Sequence, residues 1–244
     1  MTMNAPASHF AHLRDRRATL VALGDSITEV NHTTLGSLNW TGLLALGLAG
    51  KTTFPSGFTL INSGKSGDTV RNALDTLEDR VHRHRPDVVI IGYGTNDSRE
   101  YDAETFRSHL LKLAEAIRAR HEALLVWRTP IPLINLASGT ELPEYRPGGT
   151  LIAREPGTYA EAVRQAAAEA GGMVVDHYAS WAASTRHPFR GDLVYLMADP
   201  VHPNHLGHRR LYHELAPTFQ AEPYLYFEWQ RLLKADPGHP HSIP

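Results

Sequence analysis

The sequence contains no cysteine, which excludes disulfides, thiolate metal sites and a cysteine nucleophile. An excess of either charge is also missing: 24 Lys and Arg stand against 26 Asp and Glu, a formal net charge of −2. No overall field therefore recruits nucleic acid or an anionic membrane surface. No stretch approaches the ~18 apolar residues of a membrane-spanning helix. The N-terminal segment MTMNAPASHFAHLRDRRATL lacks the apolar core of a signal peptide, so a cytoplasmic location is the expectation. Internal repeats are lacking as well. What remains is an ordinary globular composition, 42% hydrophobic and 20% charged over 244 residues, long enough to bury a sizeable core without staples.

Apolar runs alternate with helix-period segments. Leu20 to Leu23, Phe58 to Ile61, Val88 to Ile91, Ala123 to Trp127 and Met173 to Val175 read as strands. Helical patterns run over Asn39–Leu48, Asp68–His82, Ala103–Arg120, Gly157–Ala170 and Pro203–Ala216; Phe106, Leu110, Leu113, Ala114 and Ile117 line one face of the third. This alternation implies an α/β fold with a parallel sheet and helices on both faces. No break in composition splits the chain, so a single domain is expected over residues 1–220, with a C-terminal extension over 221–244. The extension opens with the aromatic AEPYLYFEWQRLL, a segment suited to packing on the body or to homo-oligomer formation. Pro130 to Pro156 is too long for a passive connection in a compact domain.

Residues 62 to 69 read NSGKSGDT directly after a strand, and Gly64, Lys65 and Ser66 match the end of a phosphate-binding loop. The full loop needs a glycine at position 59, where Thr59 stands; Gly57 lies two residues too early. The nucleotide reading fails on that spacing. The physical part survives, because glycines after a strand expose backbone N–H groups that bind negative charge.

Open α/β sheets place their ligand crevice at the carboxyl ends of the strands. Gly24-Asp25-Ser26-Ile27-Thr28 follows the first strand, Asn62 to Thr69 the second, and Gly92-Tyr93-Gly94-Thr95-Asn96-Asp97 the third. Asp199-Pro200-Val201-His202-Pro203-Asn204 precedes the last helix. A serine, a glycine amide, an asparagine and an Asp/His pair would converge on one edge, an inventory for acyl transfer.

GDSIT, NSGKSGDT, GTND and DPVHP, in this order, resemble the four sequence blocks of the GDSL/SGNH hydrolase superfamily, and they span most of the chain. The resemblance implies a three-layer α/β/α sandwich with a flavodoxin-like, five-stranded parallel sheet, and ester hydrolysis without a metal or other cofactor. Block by block, it implies Ser26 as nucleophile, Gly67 and Asn96 as oxyanion-hole donors beside the Ser26 amide, and Asp199 and His202 as the remaining triad members. The chemistry suits the residue types. Serine needs an adjacent base to take its proton, and histidine can do this near neutral pH. Asp25 is expected to support its loop by hydrogen bonds, Lys65 to be an exposed side chain, and Asp68 to cap the following helix.

Each residue also has a bland reading: Ser26 as a helix N-cap, Gly67 as a turn glycine, Asn96 as the closure of a turn. His202, His205 and His208 recur every three residues, but Pro203 interrupts their helical face and carboxylate partners at ligand spacing are missing, so His205 and His208 read as solvated or structural. Trp40 and Tyr93 are candidate pocket walls, and Trp40 is equally a core residue. The expected partner is a small-molecule ester, with a short acyl group such as acetate on a small or sugar alcohol. A lysophospholipase or thioesterase, and a non-catalytic binding module on the same fold, are the alternatives.

Overall fold

The computed structural model describes residues 10–29, 32–49, 53–185 and 190–221; apart from Ala221, the expected C-terminal extension lies outside the described residues. Five strands form a parallel sheet in the order β2-β1-β3-β4-β5: β1 Ala18–Gly24, β2 Phe58–Gly64, β3 Val88–Gly92, β4 Leu124–Arg128 and β5 Met173–Val175. Their centres agree with the apolar runs, and several continue past the run to end in glycine. The chain leaves β1 toward β2 on one side and returns to β3 on the other, so the topological switch point lies between β1 and β3.

Alternation along the strands divides two cores. Leu20, Ala22, Val88, Ile90 and Val126 face Trp40, Trp181, Leu211 and Leu215, carried by α1 (Trp40–Leu48), α7 (His177–Thr185) and α8 (His205–Leu215). Val21, Leu23, Val89, Ile91, Leu125 and Trp127 face the opposite layer of α2 (Val70–Asp75), α3 (Leu77–Arg80), α5 (Ala103–Arg118) and α6 (Pro156–Ala170), α4 (Asp97–Glu100) being a single turn between β3 and α5. The architecture is the three-layer α/β/α sandwich expected. Among the described residues no helix is long and apolar enough to cross a membrane.

Side-chain caps set the helix starts that frame the site. Asn39 accepts from the Thr41 and Gly42 amides, and Asn204 from Leu206 and Gly207 at 2.9 and 3.2 Å, so the last helix starts at His205 rather than at Pro203. The continuous helix expected over Asp68–His82 is broken at Thr76. Thr76 Oγ1 donates to the Asn72 and Ala73 carbonyls at 3.0 and 3.4 Å, the local competition that bends helices at threonine. Its cap is Thr69, whose hydroxyl accepts from Asn72 N; Asp68 turns inward instead and is salt-bridged to Arg80.

The long connection from Pro130 is ordered by two short antiparallel ladders, Leu133–Ile134 with Glu141–Leu142 and Glu144–Tyr145 with Ala153–Arg154. Ile131, Leu133 and Ile134 are buried, so most of its apolar residues make core rather than a lid. Ile134 N donates to Pro200 O at 3.0 Å, fastening the connection to the segment that carries Asp199 and His202.

Candidate active site

The four sequence blocks meet at the carboxyl edge of the sheet. After Gly24 the chain makes a tight turn in which the Asp25 carbonyl accepts from the Thr28 and Glu29 amides, both at 3.0 Å. Asp25 Oδ1 takes the Ile27 amide at 2.9 Å. The turn lifts Ser26 to a partly exposed position while its neighbours stay buried. Trp40 braces it from below: its indole N–H donates to Ile27 O at 3.1 Å. Trp40 is thus core, 1% exposed, and not a pocket wall.

Ser26 Oγ lies 2.9 Å from His202 Nε2, although 176 positions separate the two residues. His202 Nδ1 lies 2.8 Å from Asp199 Oδ2. An ionised carboxylate can only accept, so Nδ1 carries the ring proton and Nε2 presents its lone pair to the serine. Asp199 Oδ1 accepts the Val201 and His202 amides, both at 2.8 Å, which orients the carboxylate. Burial alone would raise Asp199, but the hydrogen bond and charge of His202 outweigh it and hold it below its ordinary value. Burial likewise favours a neutral His202. The hydrogen bond to Asp199 and the charges of Asp199 and Asp25 prevail, and its pKa is raised above 6.5.

Gly67 sits in the loop after β2 at φ +75°, a conformation that L side chains rarely adopt. Ser66, which the phosphate-loop reading would assign to an anion, gives both its amide and its hydroxyl to Glu29 Oε2. Lys65 is exposed, as expected. Asn96 is 9% exposed, and its side-chain amide donates one hydrogen to Asp68 O at 3.0 Å. Turn closure falls to its neighbour: Asp97 accepts from Gly94 N at 3.2 Å and from Val70 N at 2.9 Å. Burial pushes Asp97 up to about 7.

A second set of contacts, silent in the sequence, braces these loops. Arg80 binds Asp68 and donates to the Gly24 and Ser63 carbonyls at 3.1 and 2.5 Å, while Tyr93 donates its hydroxyl to Asp68 Oδ2 at 3.0 Å. Tyr93 is therefore a buried strut at the loop carrying Gly67. His208 is fully buried and accepts the Trp40 amide at 3.4 Å, a structural role; His205 borders a separate concavity of about 300 Å³ with Gly36, Ser37, Leu38, Leu43 and Arg209.

A model of the GDSL-like lipase/acylhydrolase family matches residues 22–210. An acetylxylan esterase of Geobacillus stearothermophilus is 30% identical over 224 residues, covering 87% of this chain and 95% of that protein. An arylesterase of Vibrio mimicus is 32% identical over 75 residues, 30% of this chain and 38% of that one. A crystal structure of an acetylxylan esterase from Geobacillus stearothermophilus superimposes with a TM-score of 0.66 at 21% identity, over 86% of this chain and 97% of the other, and shares its fold. The chain belongs to the GDSL-like lipase/acylhydrolase family and is a carboxylic ester hydrolase.

Proposed function

We propose that the protein hydrolyses short-chain esters, acetyl esters of small or sugar alcohols foremost, through Ser26, His202 and Asp199 and an acyl-enzyme. The continuous line from Ser26 Oγ to His202 to Asp199, at 2.9 and 2.8 Å, is the observation that carries this reading. Ser26 Oγ attacks the ester carbonyl carbon while its proton passes to His202 Nε2. The resulting oxyanion is received by the amides of Ser26 and Gly67 and by the second N–H of Asn96. Imidazolium then protonates the departing alcohol, leaving the acyl group on Ser26. Water attacks that ester, gives its proton to His202, and the acid leaves as serine recovers its proton.

The preference for acetyl esters is supported by the acetylxylan esterase among the relatives. Hydrolysis of p-nitrophenyl acetate through octanoate by wild type and Ser26→Ala tests the reading. Turnover greatest on acetate, abolished in a folded Ser26→Ala, is expected. A profile rising toward octanoate would assign a long-chain acylhydrolase, and no turnover of any ester would leave a binding module on this fold.

A further inference from the structure

A buried cation lies beneath the site and has no part in the proton transfers above it. Arg128 ends β4, in register with Gly92 and Val175 of the flanking strands. Its guanidinium carbon sits 4.1 Å from the centre of the Trp40 ring, and a Cβ at position 92 would come within 3.2 Å of Nη1, so glycine there makes its room. Taking such a charge out of water is costly unless acceptors and counter-charges meet it. They do so on two sides.

On one side Arg128 Nε donates to His177 Nε2 at 3.0 Å. A guanidinium cannot accept, so His177 Nδ1 bears the ring proton and donates to Glu214 Oε2 at 2.6 Å. Burial, and then the charge of Arg128, push His177 down to about 4, so the ring is a neutral link between the two ions. Glu214 is anchored further by Ser180, Trp181 and Arg210, and it lies on α8, the helix that begins just after His202. On the other side, Asp25 and Arg128 border one cavity of about 20 Å³, the room of a single water. Their charges favour each other's ionised form across it. Asp25 holds the Ile27 amide, and Trp40, on which the guanidinium lies, holds the Ile27 carbonyl. One end of the chain of contacts therefore terminates on the turn that carries Ser26, and the other on the helix that follows His202.

We propose that Arg128 is the positioning residue of this site: it ties the Ser26 turn, through Asp25 and Trp40, to the helix that follows His202, through His177 and Glu214. The inference rests on the esterase reading and extends it to how the two halves of the site are held at attack distance. Arg128 touches no ester atom; it acts through the residues it holds.

The test measures kcat and KM on p-nitrophenyl acetate from pH 5 to 9, per active site titrated with a fluorophosphonate, for Arg128→Gln and Arg128→Lys. Arg128→Gln is expected to lower kcat about 10²-fold with KM little changed, the cost of misplaced reacting groups. Its acid limb should also move to higher pH: burial raises Asp25 to about 6, the Ile27 amide and the charges of His202 and Arg128 pull it back against Asp68 and Asp97, and without Arg128 it rises further. Arg128→Lys keeps the charge and should leave that limb in place while recovering part of kcat. A purely structural residue would reduce the titrated fraction and move neither quantity. In case Arg128→Gln does not fold, Arg128→Met is melted alone and in an Asp25→Asn background. A smaller loss in the neutral background is expected, since the buried charge then has no abandoned partner. Additive melting shifts, or an Arg128→Gln enzyme with kcat within about tenfold of wild type and an unmoved limb, would overturn the proposal. Absence of ester turnover in wild type would strike the esterase reading instead, and the melting cycle does not depend on it.

Discussion

Asn96→Ala separates the two jobs of one side chain. The Asn96 amide nitrogen has two hydrogens, and one is committed to Asp68 O at 3.0 Å. The second is the proposed oxyanion donor. Truncation removes a donor whose loss typically costs ~3 kcal/mol of barrier, a fall in kcat of about 10²–10³, with KM nearly unchanged because the charge exists only in the transition state. The same change strips a partner from the carbonyl of Asp68, a residue 1% exposed, and an orphaned buried acceptor costs about 1–3 kcal/mol of stability. For a chain of this size each kcal/mol is about 2–4 °C in melting temperature. Kinetics on p-nitrophenyl acetate at 20 °C below the melt, beside calorimetry, therefore read the roles independently. A melting temperature lowered by several degrees with kcat still within tenfold of wild type would mean that Asn96 only fastens the loop. The oxyanion assignment would then be wrong.

Three further outcomes follow from the same geometry. Asp199→Asn should fold and lose about 10⁴-fold in kcat through the wrong imidazole tautomer, and its residual acid limb should move down in pH, since the hydrogen bond and charge that raise His202 are gone; a limb that stays put in pH–rate data would refute the pairing. Gly67→Ala places its Cβ where nothing lies within 4 Å, so its cost is the φ of +75° alone, about 1–2 kcal/mol by denaturant melt; a larger loss would show a clash the structure does not contain. His208 is pushed down to about 3 by burial first and then by the charges of Arg128 and His202. Its folded pKa lies below the ordinary 6.5, so the unfolded chain binds the extra proton. The corresponding stability is complete above about pH 6.5 and is lost as pH falls toward 3, by about 1.4 kcal/mol per unit. His208→Leu should flatten the acid side of the stability curve in urea titrations from pH 7 to 4, and parallel curves would contradict this.

Strand positions and the core faces of the long helices were legible because burial imposes a period: Val88 to Ile91 has no polar alternative, and Phe106 through Ile117 repeat on one helical face. Ser26, Gly67, Asn96, Asp199 and His202 could be proposed because each follows a strand end or precedes a helix cap in a recognisable block. Their supports could not. Arg80 lies in a helical pattern where an arginine reads as a solvated side chain, yet it reaches back to Asp68, Ser63 and Gly24. Arg128, His177 and Glu214 lie far apart along the chain and meet only once β4, α7 and α8 are packed. Asp68 misled for a related reason: an aspartate before a helical run reads as its cap, but the partly buried Arg80 and the buried Tyr93 are stronger partners than a backbone amide, and Thr69 caps instead. Local patterns carry elements and motif residues; charge partners brought together by topology leave no local trace.

The proposed activation of Ser26 as a nucleophile by His202 has a covalent signature. Mass spectrometry of the peptide-mapped protein after treatment with a fluorophosphonate tests it most directly. One phosphonyl adduct per chain, on Ser26, is expected, with labelling strongly slowed in His202→Ala and absent in Ser26→Ala. An adduct on any other residue, or a folded wild-type protein that takes up no label, would contradict it.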